Sequence, residues 1–553
     1  MTGPQQVLLQ RRGGGVVVRA DGRDVQVPEE ELADLVRRLE AEGAGPRWVW
    51  DDTTRWYPAL LAAGVRVRRC TDLRLVHRVL RRSTAVDREL LAGPDTAAWD
   101  ELAPVSASSG APGGAAPEGL FEMAAPAGSL DAAAELARQE AAVAASPLRG
   151  RLQLLAAAES AAGLVAAEMT HAGLPWRADV HDRLLVDELG PQPPAGEQPR
   201  VLVHLLDQAR SALDAPTLNP DSPADLLRAL RRVRLEPPDT RSGTLQQLDH
   251  PAVVPLLEHR RLSRLHAANG WRWLREWVRD GRYRPDHLPG GVVSGRWAAQ
   301  GGGALSVPAV LRPAVVADDG WRLVVADVAQ LEPRVLAAVS ADADLARAAA
   351  GGDLYQGVVD SGAVATRADA KLAVLGAMYG ATAGSGGRMV DHLARRYPRA
   401  VEHLELAAAA GERGEAVSTW LGRGSPVPTG SWTQQAPDQP ASDADLRERR
   451  SWGRFTRNFV VQGSAAEWAS SWVALLREEL WRLGSGRVAE RPHLVLFLHD
   501  EVLVHTPAAL ADDVALAVRG AAERAGRLLY GDFPITFPLD VHVGRAWSDA
   551  GGH

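Results

Sequence analysis

The chain has 553 residues, too long for one compact core, and 46% of them are apolar, enough to bury several. A single cysteine, Cys70, excludes an intramolecular disulfide and a cysteine-built zinc cluster, and fits a reducing, cytoplasmic compartment. The net charge of −7 counts against a protein that coats polyanions by overall charge, and neither a signal peptide nor an uninterrupted apolar membrane span is expected.

The first hundred residues read as a small α/β unit. GGVVVRADGRDVQV is a strand hairpin turning at Asp21-Gly22, and EEELADLVRRLEAEG is an amphipathic helix with Leu32, Leu35 and Leu39 on one face. WVWDD and VRVRRCTDLRLVHRVL add strands and another helix. Residues 103–129, rich in Ala, Gly, Pro and Ser, read as a linker. Helical patterning resumes near 130 and runs through LQLLAAAESAAGLVAAEMTHAG, with Pro-rich breaks over 186–226. In NPDSPADLLRALRR, Ser222 as N-cap, Pro223 at the first helical position and Asp225 in the first turn mark a helix start. Residues 257–285 hold eight arginines against Glu258, Glu276 and Asp280, interleaved with Trp271, Trp273, Trp277 and Tyr283. That pattern suits a phosphate backbone, and equally suits a solvated face over a Trp-rich core.

From 321 the chain alternates strand and helix. WRLVVADV is a buried strand, the helix after it has Pro333 near its start, and helical segments follow to about 410. A polar region covers 421–445 and a helix runs through 446–483. LVLFLHDEVLVHTP has two apolar β runs around His499-Asp500-Glu501, a hairpin with its charges at the tip. A helix over 508–529 and the strand PITFPLDVHV close the chain, making this half α+β with an antiparallel sheet.

Three groups carry chemistry. Asp327 and Asp500 end two apolar strands that are able to neighbour each other; such carboxylates are costly near a buried sheet unless a cation pairs with them. Two of them can hold two Mg²⁺ ions that clamp a phosphoryl transfer, although two ordinary strand-end aspartates would read the same. Arg367, Lys371, Leu375 and Tyr379 are spaced by four, so a helix places them on one face. Its cations suit a triphosphate and its apolar end suits a base. Lys371 is the only lysine beside 61 arginines. In a composition that trades Lys for Arg, this points to a need for a compact, tunable ammonium. Arg454, Asn458 and Gln462 repeat the spacing and aim three hydrogen-bonding side chains one way.

The order DVAQLEPR, RADAKLAVLGAMYG, RFTRNFVVQG and LHDEV resembles the A, B and C motifs of family A DNA polymerases, the DNA polymerase I group. SGRW at 294–297, the thumb-like LNPDSPADLLRALRR and EHRRLSRLHAANGW, and the closing FPLDVHVGRAW extend the likeness over about 150–553. Within that family the chain resembles the actinobacterial bifunctional 3′–5′ exonuclease/DNA polymerase group. The resemblance implies an α+β multidomain fold. An N-terminal ribonuclease H-like, exonuclease-type α/β domain would span 1–100 and a linker 101–130. A thumb-type helical region would span 131–290, and palm and fingers with an antiparallel palm sheet 291–553.

It also implies roles. Asp327, Asp500 and the Val328 carbonyl would hold two Mg²⁺ ions, with Mn²⁺ as the substitute, and Glu501 would support them. Lys371 and Arg367 would bind the incoming triphosphate, Lys371 also protonating the leaving pyrophosphate. Glu332 would exclude ribonucleotides, and Tyr379, Leu375, Gln330 and His499 would line the nucleotide site. Arg296, Arg334, Arg454, Asn458 and Gln462 would touch DNA. The implied function is a monomeric polymerase adding dNTPs to a primer-template in replication or repair, without a membrane. Leu375 stands where the family has an aromatic, and Val328-Ala329 replace Tyr-Ser. WVWDDTTRWYPALLAAGVRVRRCTDLRLVHRVL resembles the later part of a proofreading domain, with Asp52 and Asp72 as remnants of metal ligands. The first-strand D-x-E pair is missing, so an inactive domain is expected. A non-catalytic DNA-binding relative, or an enzyme that keeps 3′–5′ exonuclease activity, are the alternatives.

Overall fold

The computed structural model describes residues 5–12, 14–105, 130–303, 307–380, 384–434 and 442–550. Most of the expected linker therefore lies outside the described residues. The chain forms two units. One comprises Met1–Gly173, Asp286–Gln300 and Asp319–Gly544; the other comprises Leu174–Pro285, Gly301–Asp318 and Arg545–His553.

The first unit opens with a five-stranded sheet. Strands β1 (Gln6–Arg12), β2 (Gly15–Ala20) and β3 (Arg23–Val27) form an antiparallel meander. Asp21 and Gly22 both have positive φ (49° and 74°), the backbone a tight two-residue hairpin requires. Helix α1 (Leu32–Ala41) follows, and β4 (Arg47–Trp50) pairs parallel with β1. Helix α2 (Thr53–Ala62) leads to β5 (Cys70–Asp72), parallel to β4, and to α3 (Leu73–Leu80) and α4 (Thr96–Glu101). The order is β3-β2-β1-β4-β5. Strand β1 escapes the sequence reading because it is central: Val7 and Leu9 face one apolar cluster and Leu8 another. A strand buried on both faces reads as a short apolar run without alternation.

Helices α5 (Ala132–Ala145) and α6 (Arg149–Ala172) pack within this unit. By length and composition α6 would suit a membrane, yet 67% of its apolar window is buried inside the protein, with Leu152, Leu155, Leu164 and Met169 in contact with core. It is a core helix.

The second unit holds β6 (Leu174–Pro175), α7 (Ala178–Leu189), α8 (Arg200–Ala212) and α9 (Pro223–Arg232), then α10 (Ser242–Leu245), α11 (Val253–Asn269), α12 (Trp271–Trp277), β7 (Val278–Arg279) and β8 (Arg282–Tyr283). Helix α9 starts as the sequence indicates: the Ser222 side chain accepts the Asp225 N–H and Pro223 occupies the first turn. Of the interleaved aromatics, Trp271, Trp273 and Tyr283 are buried. Trp273 packs against Tyr283 and Trp176 at centroid distances of 4.8 and 5.2 Å. These rings form a core rather than a stacking surface for bases.

The chain re-enters the first unit through the hairpin β9 (Asp286–Leu288) and β10 (Ala298–Gln300). Strand β11 (Trp321–Val328) is followed by α13 (Leu331–Val339), α14 (Ala343–Ala349), α15 (Leu354–Asp360) and α16 (Arg367–Tyr379). Then come α17 (Gly384–Arg396), α18 (Pro398–Glu412), the 41-residue α19 (Asp443–Leu483), β12 (His493–Leu498), β13 (Glu501–Pro507), α20 (Ala511–Tyr530) and β14 (Leu539–Gly544). The four strands form an antiparallel sheet of order β12-β13-β11-β14. Val324, Ala326, Val328, Val502 and Val504 share one face of it and join the large core with residues of α13, α19 and α20. The alternate residues Val325 and Asp327 take the other face.

Candidate active site

The site forms where β11 and the β12–β13 turn end together. Asp327 lies opposite Glu501 on one side and opposite Asp540 on the other. Directly opposed residues in antiparallel strands share a face, so three carboxylates stand in one row. Like charges so placed repel unless a cation or donor lies among them. Asp540 is also 2.9 Å from His542 Nε2. The sequence reading omitted Asp540 and His542, although the alternation in LDVHV puts both on one face of the closing strand.

Asp500 occupies the two-residue turn with His499, whose φ of 58° is left-handed. The Val328 N–H donates to the Asp500 carbonyl at 3.1 Å, which ties the turn to the end of β11 and brings the two strand-end aspartates together. Burial raises the Asp500 carboxyl above the ordinary value, partly opposed by His499 and Arg296. Burial, then the Arg296 charge, lowers His499. The site thus favours added positive charge at Asp500.

Helix α13 begins at Gln330, itself left-handed (φ 50°). Pro333 sits in the first turn, where its missing N–H costs nothing. Glu332, also in that turn, forms an ion pair with Arg296 and accepts the Tyr379 hydroxyl at 3.1 Å. Arg296 is delivered by a tight turn in which the Val292 N–H donates to the Arg296 carbonyl. Tyr379 ends α16, and Gly380 (φ 77°) caps it. Together with Asp500, His499, Gln330, Tyr355 and Leu375, these residues line an open cavity of about 240 Å³. Tyr355 was not anticipated; nothing in its spacing ties it to the other residues.

The rest of the α16 stripe stands on the same helix face but outside that lining. Lys371 is exposed. Arg367 pairs with Asp353 at 2.6 Å, and Asp353 caps α15 by accepting the Tyr355 and Gln356 N–H groups. Gln330 Oε1 accepts the Leu354 N–H, so the strand end, α15 and Arg367 are linked. Arg454 is exposed on α19, and a Cβ at Gly380 would lie 2.9 Å from its side chain, so the α16 and α19 stripes meet there. Asn458 and Gln462 are half-buried, with Gln462 Oε1 accepting the Ser294 hydroxyl at 2.7 Å.

Arg334 is the exception among the expected DNA contacts. It is fully buried, and its guanidinium donates to the carbonyls of Ala329, Ala349, Thr536 and Gly352. Its donors are spent inside the protein, so it braces the strand end and does not face a ligand. The N-terminal carboxylates are likewise committed. Asp52 caps α2 and pairs with Arg74 at 3.0 Å, while Asp72 caps α3 and accepts the Thr53 N–H. Both are fully buried, and burial followed by the Asp52 charge raises Asp72 to about 6. Strand β1 (QVLLQRR) carries no carboxylate.

Among the described residues no three His, Cys, Asp or Glu side chains form a ready-made metal cage. Mg²⁺ rarely needs one; it binds through one or two carboxylates and completes its shell with water and substrate phosphates. Asp327, Asp500 and the Val328 carbonyl fit such a shared site.

Comparison with known proteins places these features in context. The sequence model of DNA polymerase family A matches residues 202–549. The thermostable DNA polymerase I of Thermus thermophilus is 27% identical over 340 residues, covering 55% of this chain and 37% of the relative. DNA polymerase I of Chloroflexus aurantiacus is 26% identical, covering 55% and 33%; that of Mycobacterium bovis is 26% identical, covering 57% and 35%. The aligned part is thus about a third of the length of these curated relatives. The polymerase domain of Pol1 from M. smegmatis, solved with DNA primer-template and dNTP, shares the fold at a TM-score of 0.69 and 20% identity, covering 99% of this chain and 96% of that one.

Proposed function

The chain belongs to DNA polymerase family A, and from that membership we propose that it is a template-directed DNA polymerase, adding dNTPs to a primer 3′-hydroxyl in replication or repair. The observation that carries this reading is the meeting of Asp500, Glu332 and Tyr379 on one cavity, with Asp327 on the adjoining strand end. Asp327, Asp500 and the Val328 carbonyl would hold two Mg²⁺ ions, which supply charge neutralisation at the reacting phosphate. Glu501 lies opposite Asp327 and supports that site.

The remaining work falls to the chain's own groups. Lys371 and Arg367 bind the triphosphate, and the Lys371 ammonium hands a proton to the departing pyrophosphate oxygen. Glu332, held by Arg296 and Tyr379, narrows the space for the sugar. Leu375 offers the base an apolar but non-stacking surface, while Gln330 and His499 shape the wall. Arg454, Asn458 and Gln462 position DNA, with Arg296 at the cavity's edge. Catalysis here is positioning and charge stabilisation rather than covalent chemistry. We assign residues 1–100 to an exonuclease-like domain without activity. Its sheet order and parallel β1–β4–β5 pairing support the kinship, and the carboxylate-free β1 supports the loss. Residues 131–290 act as the thumb-type region and 291–553 as palm and fingers, in a monomer.

Primer extension with Mg²⁺, with and without dNTPs, tests the reading. Extension with dNTPs and no shortening without them is expected. A retained gel shift without extension overturns the enzyme, and shortening without dNTPs overturns the inactive domain.

A further inference from the structure

The carboxyl end of α3 carries a cationic patch that kinship with an exonuclease does not explain. Arg78 stands in the last turn of α3 and Arg82 in the turn that follows it, and both are exposed. Their arginine neighbours are committed: Arg74 pairs with Asp52 at 3.0 Å and Arg81 with Asp100 at 3.0 Å. Arg78 and Arg82 have no carboxylate partner among the described residues. Desolvation, then the charges of Arg74 and Arg82, lowers the Arg78 guanidinium from its ordinary value; Arg423 adds to this and Glu159 opposes it. The carbonyl end of a helix attracts a cation in its last turn. It does not account for a gathering of guanidiniums that repel one another, which an anion among them would relieve.

The patch is joined to the polymerase-type site through one loop. Residues 418–425, closed by a bridge between Ser418 and Gly424, pack on the end of α3: a side chain at Gly424 would run into the Arg82 carbonyl. Arg423 of that loop is buried and pairs with Glu159 of α6 at 2.6 Å, so Glu159 is spent there and does not neutralise Arg78. On its other side the loop meets the turn before β10, where a Cβ at Gly295 would lie 2.6 Å from Arg423 Nε. That turn delivers Arg296 to the nucleotide cavity, and its Ser294 hydroxyl holds Gln462. The α19 stripe of Arg454, Asn458 and Gln462 therefore leads to a turn that is one loop away from Arg78 and Arg82.

We propose that Arg78 and Arg82 bind the phosphate backbone of primer-template DNA, so that the N-terminal α/β part extends the DNA surface of the polymerase-type core. The proposal rests on the polymerase reading. A duplex carries a phosphate charge for about every 1.7 Å of its axis, so it meets two unpaired guanidiniums at once. Each guanidinium forks onto a phosphate by paired N–H bonds. Such contacts fix the register of the duplex and carry no sequence information, as a general polymerase requires. Continuity with the turn that bears Arg296 and Ser294 favours a ligand that already lies at the cavity over an unrelated anion.

The test is the salt dependence of primer-template binding by the full-length chain, read by fluorescence anisotropy between about 50 and 200 mM KCl. Replacing both residues, Arg78→Gln with Arg82→Gln, should make the slope of log affinity against log salt shallower by about 2, and weaken binding about fivefold or more at the lower salt. Arg78→Lys with Arg82→Lys keeps both charges and should keep the parent slope. Arg23→Gln removes an exposed charge from β3, the sheet edge opposite β5, and should keep it too. A parent slope in the Gln pair, or a shallower slope in the Lys pair or in Arg23→Gln, overturns the proposal. Primer extension by the parent in the same buffer checks the polymerase reading separately. Extension together with an unmoved slope in the Gln pair removes the α3 contact alone, whereas a parent that does not bind primer-template overturns both.

Discussion

Asp500 combines a half-buried carboxylate with a tight two-residue turn, and nothing else in the turn supplies a second negative charge. Asp500→Ala is expected to reduce nucleotide incorporation by about a thousandfold or more, while gel-shift affinity for primer-template stays within a few-fold. Incorporation at the parent rate would remove Asp500 from the metal site. Glu332 poses a subtler question, because it is both bulky and charged. Its ion pair with Arg296 and its bond from Tyr379 hold it rigid. Glu332→Ala should raise the relative kcat/KM for ribonucleotides by about tenfold or more. Glu332→Gln keeps the volume and an acceptor for Tyr379, and should retain most of the discrimination. Equal loss in both variants would mean that the Arg296 charge pair, not the filled space, sets sugar choice.

Helix α16 presents its cations to solvent, yet Arg367 is already engaged by Asp353. A solvent-exposed pair of this kind is weak, so a triphosphate can displace it. Asp353→Asn keeps the cap on α15, since Asn caps as well as Asp, and frees Arg367. The KM for dNTP should fall about threefold with kcat little changed; an unchanged KM would separate Arg367 from the phosphates. Helix α19 holds a different device. Burial raises the Glu467 carboxyl to about 7, from an ordinary 4.5, although it accepts from Thr419 and the Leu421 N–H. Between those pH values the folded chain holds more protons than the unfolded one, so stability falls as pH rises through that window. Glu467→Gln stays neutral and keeps an acceptor. It should be more stable than the parent at pH 8 by about 1–3 kcal/mol, and not at pH 5. Melting curves with the same difference at both pH values would sink this account.

How far such elements are legible depends on what fixes them. The α16 stripe and the Ser222 cap follow from helix geometry and local donors, and both stand in the structure as the spacing predicts. The turn carrying Asp500 is equally local. Strand β1 is hidden because tertiary burial on both faces erases its alternation. Arg334 misleads because a position on a helix does not tell which carbonyls a later loop will bring to it; its partners come from residues 349, 352 and 536. Asp540 joins the carboxylate row only through strand pairing, a register that no single segment encodes.

At the scale of the whole molecule, the N-terminal sheet is bound into the first unit by a buried ionic knot. Arg477 of α19 donates to Glu168 of α6 at 2.6 and 2.9 Å and to the Arg68 carbonyl at 2.8 Å. The Tyr57 hydroxyl of α2 donates to Glu168 at 2.6 Å, and Arg66 pairs with Glu478 at 2.7 Å. Burial opposes ionisation of Glu168, but Arg477 and Arg66 outweigh it and hold its pKa below the ordinary value. That contribution is present above the unfolded pKa and lost as pH falls through the folded one. Leu164 of α6 and Val488 join the same apolar cluster as the strands. The N-terminal sheet thus has a structural role: it covers charges and apolar surface of the first unit's core that would otherwise be bare. Arg477→Ala takes from the buried Glu168 its two closest charge-assisted bonds, leaving Arg66 at 3.5 Å as its remaining cation, and is expected to cost about 3–5 kcal/mol in denaturant unfolding. Replacing both Arg477 and Glu168 by Met leaves no uncompensated charge and should cost clearly less. If the single change costs under about 1 kcal/mol, or the double change costs more than the single, the knot is not what joins the sheet to the core.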